Sequence, residues 1–273
     1  MTLLAFDRYC DEIALQVGQF RELVTAPGVD LGATVPTCPD WTVEDLVRHM
    51  GEALRWVEVT VRTRAGAEVA SEDVPEGSGP EGRGDAVALG EWFAAGGEML
   101  VRTLREAGPD AGVWGWAGVH TAAFWARRMT HEITVHRADL ALAVGEPYGV
   151  AGEVAVDAID EWLEIVTFVQ RNDPHDAARE LRGESGGAGA SSVRSIHLHA
   201  TDAEGLDAEW VIELGAEGVV WRRGHEKASV ALRGSLTGVM LAFYRRVPLV
   251  GGGVEVVGDR GVLEFWLERA SFG

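Results

Sequence analysis

The spacing of apolar residues changes once along this chain, and that change limits the folds open to it. As far as residue 169 the apolar side chains recur at helical spacing, and beyond residue 193 they tend to alternate. The first pattern belongs to helices with one buried stripe, the second to strands with one buried face. Between them lies ARELRGESGGAGASS (178–192), a Gly/Ser-rich stretch with the composition of a flexible connector. The pattern predicts a helical bundle over 1–175, a linker over 176–192 and a smaller α+β domain over 193–273.

Five helices are expected before the change. Ile13, Val17, Phe20 and Val24 mark the first, over residues 3–25; the Pro/Gly-rich APGVDLGATVPTCPDW then reads as a link. Thr42 has the look of an N-cap, with Asp45 completing a capping box and Trp41 placed to staple onto Leu46. The second helix runs from there to about residue 64, the third over Ala86–Ala107, the fourth from about Thr121 to Val144, and the fifth over Val154–Val169. After the connector come the strand-like SIHLHATD, EWVIEL, GVVWRRG and KASVALRG, a helix Leu236–Tyr244, the strand VEVVGD and a closing helix GVLEFWLERA.

Composition excludes several classes of function. A net charge of −19 argues against nucleic acid or an anionic membrane as partner, because phosphates are bound by clustered Lys and Arg. No run of uncharged apolar residues is long enough to span a bilayer. The first residues, MTLLAFDRYCDE, lack the basic start and long apolar core of a signal peptide. Cys10 and Cys38 are too few for a disulfide scaffold, so a reducing, cytoplasmic setting is expected.

Chemistry concentrates in HEITVHRAD (131–139). His131 and His136 are five apart, which is wrong for a metalloprotease helix. Residues four apart share a face, so Glu132 pairs with His136, on the stripe of Trp125, Met129 and Leu140. His49 lies on the inward stripe of the second helix beside Leu46, Met50 and Ala53. Two imidazoles and one carboxylate from two helices match a catalytic zinc set with a position left open, and iron, nickel or cobalt would also suit them. The spacing equally fits a bland arrangement in which Arg128 pairs with Glu132 and His136 is an ordinary core histidine.

CPDWTVEDLVRHMGEALRWVE (38–58) and WARRMTHEITVHRADL (125–140) resemble the mycothiol-dependent maleylpyruvate isomerase family. HLHATD (197–202), the pair Arg233-Gly234 and VVGDRGVLEFWL (256–267) are similar to that family's second domain. The resemblance implies a DinB-like four-helix bundle with an extra helix, followed by a small sterol-carrier-like α+β domain. It also implies a divalent metal, normally zinc, at His49, Glu132 and His136, and mycothiol as thiol cosubstrate. An arginine of the second domain would bind the acidic substrate: Arg246 is assigned that role, with Arg245 the competitor, since this chain has Arg245-Arg246 where the family has Gly-Arg.

A thiol coordinated to a divalent ion is deprotonated and becomes nucleophilic. Its addition to a cis-enoyl diacid, rotation about the new single bond and expulsion of the thiolate give the trans isomer; stopping after addition gives a thioether. Two other functions share the ligand set or the fold, namely a hydrolase that activates water at the open position and a non-catalytic regulatory module. The other histidines read as structural or solvated. His120 and His131 flank the site in sequence, while His197 and His199 share one side of a strand with no third partner in view.

Overall fold

Thr42 starts the second helix as its flanking residues demand. Its hydroxyl accepts a hydrogen bond from Asp45 N (3.2 Å) while the Asp45 carboxylate accepts one from Thr42 N (2.9 Å). Two backbone donors that no helical carbonyl can reach are thus satisfied reciprocally. The computed structural model of the protein describes residues 3–173, 175–182 and 194–270. The chain forms two compact units, Met1–Tyr148 and Gly149–Gly273.

The first unit packs four helices: α1 (Phe6–Val24), α2 (Val43–Arg62), α3 (Ala86–Ala107) and α4 (Ala122–Val144). The stretch expected as a plain link between α1 and α2 carries a short antiparallel hairpin, β1 (Thr34–Val35) with β2 (Cys38–Thr42). The core holds Ile13, Phe20, Leu46, Met50, Leu54, Phe93, Leu100 and Leu104, all at most 0% exposed. Each such side chain stabilises the fold by roughly 1.5–3 kcal/mol relative to exposure. Two glycines set how closely helices approach. A Cβ on Gly97 of α3 would lie 2.5 Å from Val17 of α1, and one on Gly51 of α2 would lie 2.1 Å from the Trp92 ring of α3.

The second unit contains α5 (Gly152–Asn172), β3 (Arg194–Ala200), β4 (Glu209–Gly215), β5 (Gly218–Arg223), β6 (Val230–Gly234), α6 (Leu236–Phe243), β7 (Val254–Gly258) and α7 (Arg260–Arg269). Its sheet has the order β5-β4-β3-β6-β7, with β3 parallel to β6 and the other neighbours antiparallel. One face is apolar: Ile196, Leu198, Trp210, Ile212, Leu214, Val230 and Leu232 are buried where helices pack on the strands.

The fifth helix was expected in the bundle, over 1–175; instead α5 belongs to the second unit. The reason is polar as well as apolar. Trp210 Nε1 donates to the buried Asp160 carboxylate at 2.8 Å, and Arg223 donates to it through Nε (3.0 Å) and Nη2 (2.5 Å). Tyr244 adds a hydrogen bond to the Ala158 carbonyl, so α5 is fastened to strand and helix residues that follow it. The linker expected over 176–192 also begins as packed structure: Ala177–Glu180 is a 3-10 turn whose Ala178 carbonyl, with that of Leu181, accepts from Gln170 Nε2. Residues 183–192 of that linker lie outside the described residues.

Helix α6 ends with Arg245 at a φ of 62°. Arg245 N donates to the Ala242 carbonyl and Arg246 N to that of Leu241, a Schellman ending whose left-handed position usually falls to glycine. No helix among the described residues is long and apolar enough to cross a membrane.

Candidate metal centre

His49 lies on the second turn of α2, and Glu132 and His136 lie one turn apart on α4. The three helical residues that spacing and resemblance singled out do meet. One donor atom from each lies within 4.8 Å of the others. Glu132 Oε1 is 3.3 Å from His136 Nε2 and 4.0 Å from His49 Nε2, and the two imidazoles stand edge to face with centroids 5.3 Å apart. All three side chains are partly buried.

The remaining valences are taken up by neighbours. Arg128 Nη2 donates to Glu132 Oε2 at 2.8 Å, so the ion pair of the bland reading exists, but on the oxygen turned away from the histidines. His136 Nδ1 is 2.9 Å from Asp139 Oδ2, and Thr37 Oγ1 donates to the other Asp139 oxygen at 2.7 Å. Asp139 is fully buried. A carboxylate on one ring nitrogen fixes the tautomer and leaves the other nitrogen for a ligand, the usual support of a metal-bound histidine. The Trp41 ring, expected to staple onto Leu46, lies 4.8 Å from the His49 ring. A depression of about 470 Å³ opens beside His49, lined by Asp40, Trp41, Asp45, Arg48, Glu52 and the backbone turn at Gly77 and Ser78.

Electrostatics favour the ionised form of Glu132 and the protonated form of His136. Burial opposes ionisation of Glu132, yet the Arg128 guanidinium, with the nearby His136 and His49 rings, outweighs it and holds the carboxyl well below its usual range. Burial likewise opposes charge on His136, but the Asp139 and Glu132 carboxylates push its pKa up to about 9. With Nδ1–H committed to Asp139, Nε2 can face Glu132 Oε1 only through a shared proton or a shared cation. The donor set of two imidazole nitrogens and one anionic oxygen therefore fits a divalent transition ion.

Other residues named from the sequence are placed differently. Arg246 follows α6 in the second unit, with its Nη1 donating to the Tyr244 carbonyl at 2.8 Å. His120 accepts from Gly115 N at 3.2 Å. His131, expected to be solvated, is fully buried with its ring edge-on to Tyr9. Neither cysteine is in a disulfide, and burial pushes the Cys10 thiol up to about 11.

Two sets of residues escaped the sequence reading. Asp139 and Thr37 are one; a carboxylate three residues beyond a helical histidine is the signal that could have found Asp139. The second is in the sheet. His197 and His199 do have partners, because His197 Nε2, His199 Nδ1 and His225 Nδ1 all reach Glu209 Oε2, at 2.7, 2.8 and 2.6 Å. Those contacts come from strand pairing and from the segment after β5, which one sequence does not disclose.

Comparison with known proteins agrees with this organisation. Residues 13–141 match the family profile described as the mycothiol maleylpyruvate isomerase N-terminal domain, and residues 153–265 match that of the MDMPI C-terminal domain. The fold is similar to a crystal structure of the mycothiol-dependent maleylpyruvate isomerase, with a TM-score of 0.58, 16% identity, and coverage of 94% of this chain and 96% of the other. A crystal structure of a histidine-to-alanine mutant of that isomerase matches with a TM-score of 0.54, at the same identity and coverage. No curated protein matches by sequence.

Proposed function

Because the chain belongs to the mycothiol-dependent maleylpyruvate isomerase family, we propose that it is a metal-dependent enzyme using mycothiol. The reaction is thiol transfer or thiol-assisted cis–trans isomerisation of an unsaturated acid of the maleylpyruvate type. One observation carries the reading: His49, Glu132 and His136 meet within 4.8 Å, with Asp139 and Arg128 occupying the outward atoms of His136 and Glu132.

In this reading His49 Nε2, Glu132 Oε1 and His136 Nε2 hold the ion, zinc by first choice. A bound ion of this kind supplies a thiol that is ionised at neutral pH. The chain's own residues position the site. Asp139 keeps the Nδ1 proton of His136 and so aims Nε2 inward; Arg128 holds the Glu132 carboxylate in one orientation. Arg246 is assigned to a substrate carboxylate. Arg245 occupies the left-handed backbone position that suits the glycine of the family's Gly-Arg pair, which supports Arg246 as the arginine of that pair. The reading includes a cytoplasmic location, where a small-molecule thiol stays reduced.

The test is a product assay on zinc-loaded protein, with mycothiol, against unsaturated diacids and activated electrophiles, read by mass spectrometry. Product is expected only when metal and thiol are both present, and Arg246→Ala is expected to raise KM for acidic substrates more than it lowers kcat. Turnover without any thiol would instead assign water activation to the same residues and overturn the mycothiol reading.

A further inference from the structure

We propose that His197, His199, Glu209 and His225 form a second divalent-metal site, built on the sheet of the second unit and independent of the bundle centre. Four potential ligand atoms, one from each residue, lie within 4.8 Å of one another. The proposal does not depend on mycothiol chemistry or on the bundle ligands.

Strand geometry assembles the cluster. In β3, Ile196 and Leu198 point into the core and are fully buried, so His197 and His199 share the opposite face. Register places Glu209 of β4 directly across from His199. Gly224 N, just past β5, donates to the Glu209 carbonyl at 3.0 Å, which brings the next residue, His225, over the same spot. The three imidazoles surround one point: their centroids are 5.1 to 5.4 Å apart, and their planes cross at 68 to 89°.

The three nitrogens converge on a single atom, Glu209 Oε2. A carboxylate oxygen offers two lone pairs, so three imidazole nitrogens crowd it beyond what hydrogen bonding alone requires. Three nitrogens and one anionic oxygen around a point are instead the donor set of a borderline divalent ion. Two arginines share this face by register, and both are directed elsewhere: Arg233, opposite His199, to Glu255 at 3.4 Å, and Arg222 to Glu213 and Glu226. Four protein ligands would close the shell of a tetrahedral ion, so the site is structural in kind, with zinc the preferred occupant. His197 is nearly buried and His225 is 70% exposed, so the ion would join the sheet to the connection between β5 and β6. The binding energy of such a clamp adds directly to folding stability.

The experiment uses the full chain, stripped with chelator and dialysed against zinc chloride. Bound metal is counted by mass spectrometry, and melting temperature is followed with and without zinc. The double variant His49→Ala/His136→Ala is expected to retain about one zinc per chain and to melt higher with zinc than without. Adding His225→Ala or His199→Ala to it should remove that metal and that shift; the exposed His225 can be truncated without disturbing the core, and far-UV circular dichroism verifies folding. If the bundle centre binds nothing, wild type holds one zinc, lost with His225→Ala and kept with His49→Ala, and the sheet site stands. A double variant that binds no zinc, or one whose metal content and melting shift survive both His199→Ala and His225→Ala, overturns the proposal.

Discussion

The bundle and the sheet each gather histidines around a glutamate, by different means and with different consequences. In the bundle, one helix supplies Glu132 and His136 from adjacent turns and a second supplies His49. Outlying groups then hold the ligands: Asp139 on His136, Arg128 on Glu132. Three donors leave room for a substrate. In the sheet, strand alternation and cross-strand register bring four donors together, and His225 arrives from a connection rather than from a regular element. Four such donors would fill a tetrahedral shell. Similar residue types thus give a three-donor set in one unit and a four-donor set in the other.

The sharpest break in this comparison is activity. Replacing His49 by alanine removes one of three ligands and should lower thiol-dependent kcat/KM by about a thousandfold or more, as expected when a metal's several kcal/mol of transition-state stabilisation is lost. Truncation in the sheet cluster should register in zinc-dependent melting. A smaller effect separates the two in their supports. Asp139→Asn keeps the shape but weakens the acceptor on His136, and zinc affinity of the bundle centre should fall by about 10–100-fold in a competition titration.

Next comes pH. His136 has its pKa raised to about 9 from an ordinary 6.5 by Asp139 and Glu132, so a proton competes with the metal for Nε2. Bundle affinity should therefore climb about tenfold per pH unit from 6.5 and level off near 9. The metal-free fold has the opposite sign: its stabilisation by charged His136 is complete below about pH 6.5 and is lost as pH rises through 9. Affinity that stays flat between pH 7 and 8.5 would contradict the assigned role of Asp139. Smallest is the cap. Thr42→Ala, at the start of the helix that carries His49, should cost about 1 kcal/mol in denaturant unfolding.

The bundle centre was legible in the sequence because its geometry is local. Glu132 and His136 are four apart, and a helix converts that number into a shared face. His49 could be placed on an inward stripe by the same rule, and its meeting with Glu132 and His136, open on spacing alone, was strengthened by the family resemblance. The sheet cluster was legible only in half. HLH states that His197 and His199 share a face, but Glu209 joins them through a strand register and His225 through the chain just past β5, neither of which local spacing encodes. The position of the fifth helix failed for a related reason. Its apolar stripe says that it packs, and only the long-range bonds from Trp210 and Arg223 to Asp160 say against what. Residue Arg246 followed from resemblance alone.

The close passage of helices at Gly51 and Gly97 bears on any attempt to make this protein more heat-resistant. Exchanging helical glycine for alanine is a standard stiffening change, gaining up to about 1 kcal/mol where the site is open. Gly18 of α1 meets nothing within 4 Å and should respond in that way, raising the melting temperature. At Gly97 and Gly51 the added methyl would collide with Val17 and Trp92, so the same exchange should lower it. Identical residues in one bundle thus divide into those an engineer can change and those that hold its helices at their working distance.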